Sequence, residues 1–291
     1  MSDLRVLHFS DIHLSRTKAY NQKNWELCLR EIDARQPDFV VIGGDMVLDD
    51  PDIEDDQYYA RRQMERINAP WKAIPGNHDV GDSLPRPYQD QPVTEARVAR
   101  YVALYGPDRW FIDIGSWRLL GLNSQLLGSG LNAEADQEDW LASVVASRGP
   151  RHLAVFLHKP LCVDSLVETH QSGFCVGPAG RRGILDILTG HDIRLVASGH
   201  THRFRTLSAH GMPMVWAPTT AQINTRMASP RPDLPDQCAG FVSYRFRDGA
   251  VEWEHVQPEG LRPLDITAIV ERHGAMRNAP AFSLAEDLLP A

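Results

Sequence analysis

At 291 residues, 43 % of them apolar and 23 % charged, the chain can bury a sizeable core, and its composition excludes general disorder. A formal charge of −8, from 38 acidic against 30 basic side chains, gives no electrostatic reason to expect a long nucleic acid or an anionic membrane as partner. Lysine occurs only at Lys18, Lys23, Lys72 and Lys159, and no basic cluster marks a nucleic-acid-binding arm, so a compact polar substrate is expected.

Met1 runs directly into a strand-like segment with none of the features of a signal peptide, which predicts a cytoplasmic location. No window approaches the roughly 18–20 apolar residues of a membrane span, so a soluble protein with no membrane partner is expected. Cys28, Cys162, Cys175 and Cys238 are far apart and form no Cys-x-x-Cys pair, which predicts reduced packing residues rather than a thiolate site or a disulfide scaffold.

In chain order, short apolar runs alternate with amphipathic stretches, the pattern of an α/β layered fold. Strands are expected at residues 6–9, 39–42, 71–74, 110–114, 119–122, 153–157 and 193–197. Between them Trp25, Cys28, Leu29 and Ile32 share one helical face, as do Val98, Tyr101, Val102 and Tyr105. A third helix is expected after Asn132, with Trp140, Leu141, Val144 and Val145 inward. Beyond about residue 203 the pattern turns to strands without helices, at 212–216, 241–246 and 251–256, the last two joined as a hairpin at Asp248-Gly249. These strands are expected to close a second sheet. Residues 1–257 then form one domain, and 258–291 a tail packing on the body or on a neighbouring subunit. Within the tail, residues 266–273 read as helix, with Asp265 as a possible N-cap.

Five short sequences, each just after an expected strand, gather the metal-liganding side chains: Asp11-Ile12-His13, Gly43-Gly44-Asp45, Gly76-Asn77-His78-Asp79, His158-Lys159-Pro160 and Gly199-His200-Thr201-His202. Sites in open α/β sheets form outside the carboxyl ends of strands, so separate segments can converge on one crevice. In an extended chain residues i and i+2 share a side, so Asp11 with His13, and His200 with His202, could approach one centre as pairs. Glycines at 43, 44, 76 and 199 permit tight turns and close backbone approach. Asp-x-His is expected about once by chance in such a chain, but Gly-Asn-His-Asp in only about one chain in five hundred. All the motifs occur here, in order, which removes chance as an explanation.

With these motifs the sequence resembles the calcineurin-like metallophosphoesterases, over residues 11–202. Within that superfamily it is most similar to the bacterial class III cyclic-nucleotide and glycerophosphodiester phosphodiesterases, through Phe9-Ser10-Asp11-Ile12-His13-Leu14 and Gly121-Leu122-Asn123-Ser124. The resemblance implies a four-layer αββα sandwich of two mixed β-sheets flanked by helices, with a dinuclear metal site at the C-terminal ends of the strands. It assigns Asp11, His13, Asp45 and His202 to one ion and Asp45, Asn77, His158 and His200 to the other, with Asp45 bridging. Oxygen and imidazole ligands without thiolate suit manganese, iron or zinc, divalent or trivalent. Two such ions roughly 3.5–4 Å apart clamp a phosphoryl group and lower the pKa of a bound water. The implied mechanism is in-line attack of metal-bound hydroxide on phosphorus, with no covalent intermediate.

His78 is then the catalytic residue that stabilises the transition state or protonates the leaving alkoxide, with Asp79 its partner or a structural acceptor. Asn77, His78 and His200 would also meet the phosphoryl group. The acidic run Asp49, Asp50, Asp52, Asp55 and Asp56 reads as a solvated loop and helix start. Many relatives carry a second histidine where this chain has Lys159, which either meets a second anionic group on the substrate or pairs with a nearby carboxylate. Residues 80–92, 162–182 and 203–220 are expected as pocket-shaping loops, with Arg86, Arg203 and Arg205 as candidate anion contacts.

The activity expected is hydrolysis of a small soluble phosphodiester, a cyclic nucleotide or a glycerophosphodiester-like compound. A phosphomonoesterase or a nuclease on the same metals is the alternative, the nuclease disfavoured by the acidic balance. A non-catalytic scaffold would be expected to have lost ligands, and all seven positions are filled. In similar enzymes subunits assemble through C-terminal segments, which makes the tail a candidate for homo-oligomer contacts.

Overall fold

The computed structural model describes residues 3–83, 91–226 and 233–282. The chain begins with β1 (Leu4–Phe9), α1 (Gln22–Arg35), β2 (Phe39–Ile42), α2 (Glu54–Met64), β3 (Trp71–Ala73), α3 (Asn77–Val80) and α4 (Glu95–Tyr105). It continues through β4 (Trp110–Ile114), β5 (Trp117–Leu122), α5 (Asn132–Ala146), β6 (His152–Leu157), α6 (Pro178–Leu188) and β7 (Ile193–Ser198). The remainder is β8 (Arg205–Ala209), β9 (Met212–Trp216), β10 (Gln222–Ile223), β11 (Phe241–Phe246), β12 (Val251–Val256), β13 (Leu264–Asp265) and α7 (Thr267–His273).

Two large mixed sheets result among the described residues, one in the order β12-β11-β1-β2-β3 and one in the order β4-β5-β6-β7-β9-β8. β1, β2 and β3 run parallel, as do β5, β6, β7 and β9, so the carboxyl ends within each set face one way. Side-chain alternation divides the burial into layers. Val6 of β1, Phe39 and Val41 of β2, and Phe156, Ala197 and Val215 of the second sheet fill the space between the sheets. Leu7 and Phe9 point the other way, onto Trp25, Cys28 and Ile32 of α1 and Tyr59 of α2. Leu120, Val155 and Val196 pack outward on Leu141 and Val145 of α5 and Ile184 of α6. This is the αββα sandwich expected from the motifs.

The strands after residue 203 depart from the expectation. They divide between the sheets: β8 and β9 extend the second, whereas the β11–β12 hairpin joins the first by pairing β11 antiparallel with β1. That pairing covers the backbone edge that β1 would otherwise leave open. The hairpin turn does fall at Asp248-Gly249, with Phe246 opposite Val251. Two elements enter segments expected as loops, α6 through its first five residues and β8 entirely. Pro178, Gly180 and Gly183 read as loop, yet proline is compatible with the first helical turn. A side chain at Gly180 would come within 2.4 Å of the Leu127 backbone, so close packing is what demands that glycine. Val102, expected inward, is exposed.

Asp265 accepts a hydrogen bond from the Thr267 amide (3.0 Å) and so caps α7 from one residue before the boundary. Ile266, Ile269, Val270, Met276 and Ala279 pack against Leu48, close to the end of β2. Among the described residues no helix is long and apolar enough to cross a membrane. The four cysteines are unbridged.

Candidate metal centre

Asp11 and His13 follow β1, Asp45 follows β2, Asn77 and His78 open α3 after β3, His158 follows β6, and His200 and His202 follow β7. Their positions at the carboxyl ends of both sheets make three clusters of potential ligand atoms: Asp11 with His13 and His202, His13 with Asp45 and His78, and Asp45 with His158 and His200. Asp45 and His13 are shared between clusters, which joins the three into one centre.

The convergence does not come from extended chain. Asp11, His13, Asp45, His200 and His202 all adopt left-handed backbone conformations, with φ between 50° and 66°. At about 1–3 kcal/mol each, such residues persist only where the surroundings over-determine them. The strand-end loops supply that constraint: the amides of Asp11 and His13 donate to the carbonyls of Gly44 and Asp45 (both 3.0 Å), interlocking the turns after β1 and β2. Gly76 and Gly199 permit the close approach: a Cβ would lie 2.1 Å from Asp45 Oδ1 at the first and 1.8 Å from Ser10 Oγ at the second.

The ligand atoms are oriented by their other halves. Asp11 Oδ2 accepts from Ser10 Oγ (2.6 Å) and the His200 amide (2.9 Å), which turns Oδ1 inward. The Nδ1 atoms of His13, His78 and His158 meet the carbonyls of Leu48 (3.1 Å), Asp49 (2.5 Å) and Gly43 (2.7 Å), so their Nε2 atoms face the centre. In His200 the roles reverse: Nε2 meets the Gly173 carbonyl (2.8 Å), and Nδ1 is the nitrogen suited to a cation. Histidines that hold metals carry this kind of carbonyl support.

Asp11 Oδ1, Asn77 Oδ1 and His158 Nε2 are buried with no hydrogen-bond partner. Each would cost about 1–3 kcal/mol if left so. His202 Nε2 lies 3.2 Å from both His13 Nε2 and Asp11 Oδ1, and His158 Nε2 lies 3.2 Å from Asp45 Oδ2. Acceptors crowded this closely fit cations placed among them, and oxygen with imidazole is a donor set for manganese, iron or zinc.

In the metal-free protein, burial pushes His13 down to about 3, with His78 adding to the effect. Burial also opposes the charged form of His158, but the Asp45 carboxylate outweighs it and holds His158 up at about 9. Burial would raise Asp45, yet the imidazoles of His158 and His78 keep it well below the usual carboxylate range. The sign for metal loading follows. At pH 7 His13 is already neutral, whereas His158 carries a proton that a cation must displace. Calorimetric metal titration in buffers of different ionisation enthalpy should therefore show at least about one proton released per protein at pH 7, with affinity rising toward pH 9. Release of no proton would show that His158 is already neutral before the metal binds.

Other sequence readings change here. Asp79 partners backbone: it accepts from the amides of Met46 (2.9 Å) and Gly76 (2.8 Å) and shapes the turns after β2 and β3. Two other carboxylates face His78, that of Asp49 with Oδ1 3.7 Å from Nδ1 and that of Asp45 with Oδ2 3.8 Å from Nε2. Asp49 is buried and lines the cavity, although its acidic neighbours made it read as a solvated loop residue. Lys159 is fully buried and pairs with Asp82, the structural option of the two weighed for it.

Arg203 is a correction: it is buried, and its guanidinium donates to the carbonyls of Thr201 (2.9 Å) and Pro235 (2.8 Å) rather than lining the cavity. Arg205 is likewise engaged, donating to Asp164 (2.7 Å) and lying over the Trp216 ring. Arg86 lies outside the described residues.

An αββα sandwich whose strand ends gather nitrogen and oxygen groups suited to metal ions is the architecture of a metallophosphoesterase. The chain belongs to the calcineurin-like phosphoesterase family, whose sequence profile matches residues 4–204, and it is a hydrolase of phosphoesters. It is 27 % identical over 238 residues to a probable cyclic nucleotide phosphodiesterase of Psychrobacter arcticus, covering 75 % of this chain and 80 % of that one. It is also 27 % identical over 180 residues to human serine/threonine-protein phosphatase CPPED1, covering 58 % of this chain and 54 % of that one. The chain thus spans about half the length of the human relative. A dimetal phosphatase from Danio rerio has the same fold, with a TM-score of 0.55 at 10 % identity over 87 % of this chain and 99 % of that one.

Proposed function

We propose that this protein is a phosphodiesterase of small soluble phosphodiesters, cyclic nucleotides or glycerophosphodiester-like compounds. In this reading Asp11, His13, Asp45 and His202 hold one transition-metal ion, and Asp45, Asn77, His158 and His200 the second. When bound, the two ions polarise the phosphoryl group and make a water nucleophilic near neutral pH. The chain supplies the rest. Asn77 and His200 orient the phosphoryl oxygens, and His78 presents Nε2 to the leaving oxygen as proton donor. The Asp49 carbonyl, 2.5 Å from Nδ1, accepts the Nδ1 proton and so leaves Nε2 as the nitrogen that takes up and gives the exchangeable proton, donation being from the imidazolium form.

The observation that carries the diester reading is the cavity above the centre. It has a volume of about 320 Å³, and neither lysine nor arginine lines it among the described residues. That size suits a small ligand. A singly charged diester needs no cation beyond the metals, whereas a dianionic monoester gains from one. The Psychrobacter relative supports the same reading. The human relative's name favours a phosphomonoesterase as the second reading.

The discriminating experiment compares bis(p-nitrophenyl) phosphate with p-nitrophenyl phosphate on manganese-reconstituted protein, with a chelated control. Metal-dependent preference for the diester, by about tenfold or more in kcat/KM, is expected. Preference for the monoester would put the phosphatase reading first.

A further inference from the structure

The cavity lining is of two kinds: His13, Asp45, His78, His200 and His202 give it a polar floor, and Phe174, Ile223, Ile266, Val270 and Met276 an apolar wall. Three of those wall residues come from the C-terminal segment, beyond the part of the chain that the family profile matches. Ile266 and Val270 stand four residues apart at the start of α7 and so share a face. No residue of α7 is fully buried, so the fold leaves the apolar side chains Ile266 and Val270 partly accessible where they meet the cavity. The amide oxygens beside them are engaged in the framework: Gln237 Oε1 accepts from the Asn224 backbone amide (2.6 Å), and Asn224 Oδ1 accepts from Thr267 Oγ1 (3.1 Å). Among the described residues no lysine or arginine lines the cavity to receive an additional anion there.

We propose that this wall is the subsite for the organic group of the substrate, and that Ile266 and Val270 are specificity-determining residues that select an uncharged, apolar or planar substituent against one bearing a second negative charge. The assignment rests on the phosphodiesterase reading for its biological meaning, but the wall's preference is measurable without it. An apolar group placed over the floor by its phosphoryl end has this wall as its neighbour, and burial against it is favourable. One or two methyl groups in such a pocket change affinity by about tenfold or more.

Phosphonates test this, because the organic group is their only variable. Inhibition constants of methylphosphonate, phenylphosphonate and 4-carboxyphenylphosphonate would be measured on the metal-loaded protein and repeated as calorimetric dissociation constants. The native protein should bind phenylphosphonate at least about tenfold more tightly than methylphosphonate, and the carboxylate should erase that gain. Val270→Asn should reduce the phenyl preference by roughly tenfold and leave methylphosphonate within about twofold. Val270→Leu should keep the preference, and thermal melting of both variants reports folding separately. Equal binding of the methyl and phenyl compounds by the native protein, or equal weakening of both in Val270→Asn, would overturn the assignment. If p-nitrophenyl phosphate is the reporter substrate that works and the diester is not, the phosphodiesterase reading falls while the phosphonate series still decides the wall.

Discussion

An Asp45→Ala protein is expected to lose turnover of bis(p-nitrophenyl) phosphate by about 10⁴-fold or more, the equivalent of the several kcal/mol that two cations contribute to the transition state. Asp45 is buried at the end of β2 and belongs to clusters on both sides of the centre. Its Oδ2 lies 3.2 Å from His158 Nε2, and its Oδ1 accepts from the His78 amide (2.8 Å). In the proposed assignment, removing the carboxylate takes a ligand from both ions at once, and elemental analysis should find fewer than two per chain. Asp45→Asn preserves volume and an acceptor, so it separates loss of the bridge from loss of the fold. A variant with two tightly held ions and near-native turnover would refute the bridging role.

For His78→Ala the expectation is different: metal content should be retained while the rate falls by roughly 10²–10⁴-fold, the usual worth of a positioned general acid. His78 Nε2 lies 3.8 Å from Asp45 Oδ2, at the edge of the centre, and its other nitrogen is turned toward Asp49. The loss should be largest for a diester with an alkoxide leaving group and smaller for p-nitrophenolate, which departs without a proton. Equal losses on both would argue against proton donation. Loss of a metal ion would instead place His78 among the ligands, as its clustering with His13 and Asp45 allows.

Asp49 connects this chemistry to the tail. Its Oδ2 accepts from the Arg277 amide (2.7 Å) while its carbonyl and Oδ1 face His78. The segment that bears the cavity wall is therefore tied to the residue that orients the proposed acid. Sequence order could not reveal this, because Asp49 and Arg277 are 228 residues apart and neither belongs to a motif.

The ligand residues were legible because each motif combines a rare residue string with a strand before it, and strands announce themselves through short apolar runs. The sheets were legible for the same reason, in β1, β2, β6 and β7 above all. The helix α6 was not, since Pro178 and two glycines are loop signals whose helical role depends on Leu127 packing against Gly180. Arg203 and Lys159 show a further limit. A charged side chain near a motif has the chemistry to meet an anion, but whether it does depends on its direction, and both are buried against protein partners.

By itself the sequence determined the α/β alternation and, through the resemblance its motifs carry, the family, its αββα sandwich and a candidate set of metal-binding groups, because residue identity and hydrophobic period are local properties. Tertiary structure alone decided which nitrogen of each histidine faces the centre, that left-handed turns rather than extended chain bring Asp11 to His13, and that the tail walls the cavity. Those outcomes depend on backbone carbonyls and side chains from distant segments meeting in space, and no local pattern encodes such a meeting.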